Sequence, residues 1–492
     1  MRRFHVSFKV REGHDVVVVG GGTAGAIAGI AAARTGARTL VVEQQGHLGG
    51  TLAFGMSITG AVDASGRWAL GGTGREVLQR LEAQGGATRA HLSEMYASVI
   101  GQSPEMLRIE LLRMTLEAGA KLLFHSTLVD VTTDGQRVTG VVVANKNGLE
   151  KIPADIVVDA TGDADVVARA GGRFTFGRPG DALAQPSSRI FLVGNVDIDR
   201  TFDYLENNPD DLQPPPGWRK PGTSVEGAEA ADTPTVEHLR TTPGINIEGF
   251  AGLVRKAKAA GDLNVPRAWV GMYTYPGRRE VGINFTRAHG VDGTDSDSIT
   301  QAEVETQLQM ADAVEFLRKY VPGFEGCYVV ATPYQLGVRE SRHVVGHYAL
   351  TESDVLSGAS FDDQIGRAAY ALDIHDIGEG VVTGGRKVSG GGITIIPIEK
   401  SYGVPMRCLI PVDLSNVVVA GRSISAEHEA AGSVRGQAVC MMTGHAAGTI
   451  AALAAMDRVE PRNLNYDKAK ETLLAQDAVI DVGEPLIAGV AR

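Results

Sequence analysis

The stretch DVVVVGGGTAGAIAGIAAARTGARTLVVEQQGHLGG, residues 15 to 50, carries Gly20, Gly22 and Gly25 and then an acid, Glu43. In the dinucleotide-binding pattern Gly20 permits a tight turn and Gly22 lets the backbone approach a diphosphate. Gly25 allows a helix to pack closely on a strand. Free N–H groups at the helix start and the positive end of its dipole then face the phosphate charge. A carboxylate at Glu43 can accept hydrogen bonds from an adenosine ribose, and it repels a 2′-phosphate. The alternative is a glycine cluster used only for packing. A strand before, a helix after and an acid at this distance favour the cradle, and with it NAD or FAD.

Two other groups could do chemistry. GVRESRH, residues 337 to 343, holds Arg339, Arg342 and His343. The arginines share a face on a helix and take opposite faces on a strand. They could anchor a substrate carboxylate or carbonyl, or form an interlobe salt bridge with Glu340 or nearby acids. In Asp373-Ile374-His375-Asp376, Asp373 and His375 share a strand face. There the acid can orient the imidazole for proton transfer, although a satisfied structural histidine fits the same pattern.

The elements that must position these groups are legible. Val16 to Val19 is a β-branched run, expected as a central parallel strand. Ala24 to Thr35 reads as a buried helix ended by Gly36, and Thr39 to Glu43 as a second strand, which completes a βαβ unit. Helices are expected at about 74 to 83 and from Pro104 to about Glu117. Strands near 127–133, 138–145 and 150–158 form a meander that turns at Asp134-Gly135 and Asn147-Gly148. Residues 205 to 245, with prolines at 214 to 216, read as a surface loop or lid. A helix is expected at about 300 to 319. NVVVAG, residues 416 to 421, repeats the first strand's pattern, and a long helix follows from about Ser433.

The expected class is α/β: a Rossmann-type βαβ lobe with a β-meander, and an inserted α+β substrate lobe. The boundaries are 1–172 and 403–492 for the dinucleotide lobe and 173–402 for the insertion. A chain of 492 residues fits two lobes better than one core. The net charge of −11 disfavours nucleic acid and anionic membranes as main partners. Three widely spaced cysteines, Cys327, Cys408 and Cys440, with no CxxC, disfavour a redox disulfide, an iron–sulfur cluster and a zinc site; no metal is expected. No apolar h-region follows the basic N-terminal residues, so a cytoplasmic protein is expected. The apolar stretch at 434 to 455 is interrupted by Arg435, Gln437 and His445, which disfavours a membrane span.

Beyond the first βαβ unit, four segments resemble the family of FAD-dependent oxidoreductases, whose dinucleotide lobe is of the glutathione-reductase type. They are LGG (48–50), DATGDAD (159–165), GVRESRHVVGHYALTESDV (337–355) and GVPMRCLIPVDLSNVVVAGRSISAEHEAAGSVRGQAV (403–439). The resemblance covers most of the chain outside about 205 to 295. It implies FAD, with the ATG turn against the cradle and the C-terminal helix aimed at the isoalloxazine. The FAD contacts it implies are Gly20, Gly22, Thr23, Ala24, Gly25, Glu43, Gln44, Gly49, Gly50 and Thr51, then Val129, Ala160, Thr161 and Gly162, then Gly421, Arg422, Gly432 and Ser433. One departure is Gly421-Arg422, where many FAD proteins of this fold carry Gly-Asp. The role of that acid on the ribityl chain is not transferred.

The implied chemistry is hydride transfer between a small organic substrate and flavin N5. His428 is expected near the reactive ring, with Arg339 and His375 as further catalytic candidates. Ala431-Gly432-Ser433 would open the long helix toward the N1–O2 edge, where its dipole favours the reduced anion. Arg435 and Gln437 could add donors there. Tyr402 could donate a proton, and His47 lies near the cradle. Gly384-Gly385 and Gly390 to Gly392 precede ITIIP, which reads as a strand, so no second nucleotide cradle is expected and dehydrogenation is favoured over reduction. The electron acceptor, the mode of flavin attachment and the oligomeric state, a homo-oligomer included, stay open. A monooxygenase or halogenase, and an electron-relay subunit of a larger complex, are the alternatives.

Overall fold

The computed structural model describes residues 8–93, 95–212, 236–241, 244, 246–275, 278–375 and 393–482. Four successive valines leave no polar face, so their strand must be covered on both sides. That strand is β1 (His14–Val19), with Val16 to Val19 buried. Next comes α1 (Thr23–Thr35), small-residued and ended by Gly36 at φ 112°. β2 (Thr39–Val42) returns parallel to β1. The helices α2 (Gly72–Ala83) and α3 (Pro104–Glu117) follow, and then the edge strand β3 (Lys121–Leu123).

The meander is β4 (Thr127–Asp134), β5 (Arg137–Asn145) and β6 (Gly148–Asp159). Its turns fall at the two predicted X-Gly pairs. β6 serves two pairings. Its first half runs antiparallel to β5, with Glu150 opposite Val143, and its second half runs parallel to β1, with Val158 opposite Val18.

The inserted region builds a second sheet: β7 (Ile190–Gly194), β8 (Asn246–Gly249), β9 (Val270–Thr274), β10 (Glu280–Asn284) and, after α4 (Ser296–Tyr320), β11 (Tyr328–Ala331). The order is β8-β9-β10-β7-β11, all antiparallel. One face carries Phe191, Ile247, Val270, Met272 and Ile283 into a core shared with Phe316 and Leu317 of α4. The loop expected at 205 to 245 is helical at its described ends, over Ile198–Asn207, Pro209–Leu212 and Val236–Thr241. Phe202 and Leu205, one turn apart, bury into that core, a spacing the polar and proline-rich composition around them obscured. Pro214 to Pro216 lie outside the described residues.

Two strands, β12 (Leu372–His375) and β13 (Ile393–Ile396), pair antiparallel. Asp376, Gly384, Gly385 and Gly390 to Gly392 lie outside the described residues. β14 (Val417–Val419) then enters the first sheet beside β6, with Val418 opposite Val158. The parallel order is therefore β3-β2-β1-β6-β14. Asn416 ties this strand to the meander. Its amide donates to the carbonyls of Val138 and Asp155 at 2.8 Å each and accepts from the Val138 N–H at 2.8 Å.

The long helix expected from about Ser433 is two helices, α5 (His428–Val434) and α6 (Gln437–Asp457). Gly436, at φ −55° and ψ 142°, breaks the run. A Cβ there would stand 2.8 Å from the Tyr370 ring, so the chain passes beneath that ring and restarts. Arg435 thus falls outside α6, and His445 is a buried member of it, bonded to Gln476 at 2.7 Å. Long and apolar enough to cross a membrane, α6 is instead a core helix, 89% buried over its most apolar window. It lies on α1 through Gly444 and Gly448. A Cβ at either would come within 2.2 Å of the Ala24 or Ala28 carbonyl oxygen. Gly448→Leu should therefore push the two helices apart and lower unfolding stability by about 1–3 kcal/mol, the usual cost of overpacking. Urea unfolding checks this, and an unchanged midpoint would refute the close contact.

Candidate active site

The first βαβ turn divides its glycines by task. Gly20 sits at φ 95°. A Cβ on Gly25 would lie 1.8 Å from the Gly20 oxygen, so this glycine serves helix–strand packing. A Cβ on Gly22 would meet nothing closer than the Gly50 Cα at 3.9 Å. Its open side lines a cavity, together with Thr23, Ala24, Gln44, Gly50 and Thr51. Gly49 and Gly50, at φ 108° and 52°, bring a second bare backbone across from it. The start of α6 closes the arrangement. Thr23 donates to the Gln437 side-chain oxygen at 2.8 Å, and the Gln437 amide donates to Thr51 at 3.1 Å.

Glu43 is buried beside the cradle. It accepts the Gly21 N–H at 2.6 Å and the Gln45 N–H at 2.7 Å. Burial pushes its pKa up, and the backbone donors oppose that shift. Each carboxylate oxygen keeps a lone pair for a further donor. Glu43 stands behind the cavity wall, which Gln44 lines instead. Val129, 39% exposed on β4, is not among the lining residues.

Three sequence motifs converge on one ion cluster. Asp159 at the end of β6 is fully buried and holds the next turn. It accepts from the Thr161 hydroxyl at 2.7 Å and the Val167 N–H at 3.1 Å. Burial pushes its pKa up to about 6 against those bonds. Asp163, from the same motif, binds Arg422 at 2.5 Å and accepts the Ser341 hydroxyl at 2.7 Å. Arg342 donates to the Asp163 carbonyl at 3.1 Å and pairs with Asp165 at 3.0 Å. Arg422 therefore lines the cavity beside Ala160, Thr161, Gly162 and Gly421 with its guanidinium held from behind.

Beyond Arg422 the cavity widens into a chamber walled by Tyr96, Trp269, Tyr273 and Tyr370. Its charged lining is Glu248, Arg267, Arg339, Asp373, His375 and Arg435. The whole cavity encloses about 1670 Å³ of non-atom space, the solvent at its mouth included. Burial opposes the charge of Asp373. The neighbouring His375, then Arg435 at 3.1 Å and a hydrogen bond from the Tyr370 hydroxyl at 2.7 Å more than offset this and hold its pKa well below the usual range. His375 Nε2 lies 3.2 Å from Asp373. Its Nδ1 lies 3.0 Å from Arg287, which can only donate, so Nδ1 accepts and the proton sits on Nε2. Burial, then the nearby Arg339, push the His375 pKa well down and keep the ring neutral. Glu248 accepts from the Trp269 indole at 3.0 Å, and burial pushes its pKa up to about 7.

The structure brings Arg339, His375, Asp373, Arg435 and Gln437 to this cavity. His428, Gly432 and Ser433 stand elsewhere. They belong to α5, which packs on the back of β12: a Cβ on Gly432 would meet the Asp373 carbonyl oxygen at 3.0 Å. His428 donates from Nδ1 to Glu340, 2.8 Å away, and is a packing partner of that acid rather than a wall of the cavity. Burial alone would raise the Glu340 pKa, and the nearby His343, 3.7 Å away, together with the bond from His428 hold it at about 2. Ser433 bonds Tyr402, which is fully buried. His47 packs its ring against Tyr334 at 4.5 Å. Sequence reasoning missed Glu248, Arg267 and the aromatic wall. The signal was present as strict alternation: Trp269 and Tyr273 face the cavity while Val270 and Met272 face the core.

Bare amides around an open Gly22, an anchored arginine and a large chamber at the far end suit a dinucleotide carrying a bulky ring. Comparison with known proteins agrees. The sequence profile described as FAD dependent oxidoreductase matches residues 15–473. A thiamine thiazole synthase of Aeropyrum pernix is 34% identical over 178 residues, 34% of this chain and 61% of that protein. A digeranylgeranylglycerophospholipid reductase of Methanothermobacter thermautotrophicus is 27% identical over 195 residues, 38% of this chain and 48% of that protein. The chain thus spans less than two thirds of each relative's length. Among solved structures, a geranylgeranyl bacteriochlorophyll reductase-like protein of Thermoplasma acidophilum aligns at 12% identity and TM-score 0.45, covering 95% of this chain and 85% of that one. The chain belongs to the family of FAD-dependent oxidoreductases; it is an enzyme, and FAD is its cofactor.

Proposed function

We propose that the enzyme moves a hydride between a small organic substrate and flavin N5, in the direction of substrate dehydrogenation. One observation carries this: a single cavity joins the glycine cradle to the chamber of Glu248, Arg339, Asp373 and His375. We further assign the parallel sheet β3-β2-β1-β6-β14 with its meander to a glutathione-reductase-type lobe, formed by residues 1–172 and 403–492, with 173–402 as the substrate lobe. The amides of Gly22, Thr23 and Gly50 then hold the diphosphate, and Glu43 takes the ribose from behind.

When bound, FAD accepts two electrons with the hydride. The chain's own residues handle the proton. Dehydrogenation of H–C–X–H to C=X releases one proton from X, and Glu248 is the group suited to take it. Its pKa of about 7 places it near the operating range of a general base. Trp269 fixes one of its oxygens, and Gly271 leaves it room: a Cβ there would lie 3.0 Å from the carboxylate. Arg287, 3.0 Å from Nδ1, fixes the orientation of neutral His375, whose Nε2 stands 3.2 Å from Asp373. The amides at the start of α6 and the Gln437 side chain lie beside the cradle, where they favour negative charge.

Two outcomes test this function. Anaerobic flavin bleaching by substrate should quicken as pH rises through about 7, because Glu248 must lose its proton to act. Glu248→Gln should slow bleaching by roughly 10²–10⁴-fold and flatten that profile; a steep profile in the variant removes Glu248 as base. Separately, Glu43→Ala should raise the FAD dissociation constant at least about tenfold, the loss expected for charge-assisted hydrogen bonds. Flavin content after dialysis reads this, and full retention contradicts the ribose assignment.

A further inference from the structure

The chamber holds more positive charge than its own acids neutralise. Three guanidinium groups line it, Arg267, Arg339 and Arg435, against two carboxylates, Asp373 and Glu248. Asp373 is taken by Arg435 at 3.1 Å and by the Tyr370 hydroxyl. Glu248 is held by the Trp269 indole. Among the described residues no carboxylate lies within 4.0 Å of Arg267 or Arg339. Arg267, only 3% exposed, has among the described residues one side-chain hydrogen bond, to the Asn284 side-chain oxygen at 3.3 Å, and its guanidinium lies 5.7 Å from the centroid of the Trp269 ring. Arg339 donates once, to the Pro186 carbonyl at 2.5 Å. A guanidinium carries five N–H donors, so most of each fork has no hydrogen-bond partner among the described residues. Burying a cation this way is costly unless an anion joins it. Planar forks suit a carboxylate, which they can grip with two parallel bonds.

We infer that the substrate is an organic carboxylate with a flat, unsaturated or aromatic body, its anionic head held by Arg339 and Arg267 and its body against Tyr96, Trp269 and Tyr273. Arg435 is excluded from the head site because Asp373 already occupies it. Burial and the neighbouring Arg435 push the Arg339 pKa down to about 10, the strain a bound anion would relieve. The aromatic wall explains why the head alone does not define the ligand: four ring side chains offer stacking surface that a small inorganic anion would leave unused.

This inference rests on the hydride-transfer reading for the word substrate, and its test separates the two. FAD-loaded protein is titrated by calorimetry with benzoate, phenylacetate and cinnamate, and with the three matching amides, while the flavin's visible spectrum is recorded. At least one acid should bind at least tenfold tighter than its amide. Arg339→Gln and Arg267→Gln should each erase that preference, and Arg339→Lys should keep part of it. FAD content and melting temperature report whether each variant is folded. Equal binding of acids and amides, no binding of any acid to FAD-loaded wild type, or an acid preference that survives in both folded glutamine variants overturns the inference. An acid preference lost in the variants, with no change in the flavin spectrum, upholds the anion site and counts only against hydride transfer at that site.

Discussion

Gly444 and Gly448 place α6 on α1 with no side chain between the two backbones, and the cavity depends on that contact. A Cβ at either position would sit 2.2 Å from a carbonyl of the facing helix. Because the helices touch, the first turn of α6 arrives beside the first turn of α1. Gln437 then spans Thr23 and Thr51, and residues 386 and 414 positions apart in sequence form one wall. A larger residue at either glycine would move the α6 start by roughly the width of a methyl group. That displacement exceeds the roughly 1 Å tolerance of a hydrogen-bonded site. The same constraint explains the break before α6. Gly436 lets the chain slip under Tyr370, and this leaves Arg435 free to reach Asp373 rather than pointing along a continuous helix.

Charge is distributed with the same economy. Arginines near the cradle are restrained by acids from behind: Arg422 by Asp163, Arg342 by Asp165. An arginine so held keeps its position but loses part of its net field. Among the described residues of the chamber, only Arg435 is restrained in this way. The buried Glu340, with His343 and His428 around it, forms a separate knot. It accepts the Gln185 N–H at 2.9 Å and so ties the GVRESRH segment to the start of the inserted lobe. Its carboxylate, held at about 2 by those bonds, contributes stability that is present above the unfolded glutamate value and is lost as pH falls toward 2.

The parts of this molecule that were legible in the sequence are those built from neighbours. Val16 to Val19, Gly36, Pro104 and the two X-Gly turns each act within a few residues, and their elements stand where the spacing put them. Asp373 and His375 share a strand face because the period of a strand is two. The break at Gly436 was not legible, since it depends on Tyr370, a residue 66 positions away. Nor was the placement of His428: its neighbours in sequence suggested the cavity, while the partner that claims it, Glu340, comes from a distant segment. Glu248 and Arg267 lay where no resemblance reached. Their only signal was alternation of polar with apolar residues on strands whose pairing the sequence does not declare.

That alternation shows why the chamber can change while the cradle stays. The sheet β8-β9-β10-β7-β11 has two faces with separate duties. Ile247, Val270, Met272 and Ile283 hold it to its own core, and Asn246, Glu248, Tyr273 and Asn284 line the cavity. Side chains on the second face can be exchanged without disturbing the first, because successive residues of a strand point opposite ways. The cradle has no such freedom, since Gly25 and Gly444 are fixed by backbone contact. The touching helices thus fix the cradle by backbone contact, and one face of the second sheet lines the chamber with side chains that can be replaced.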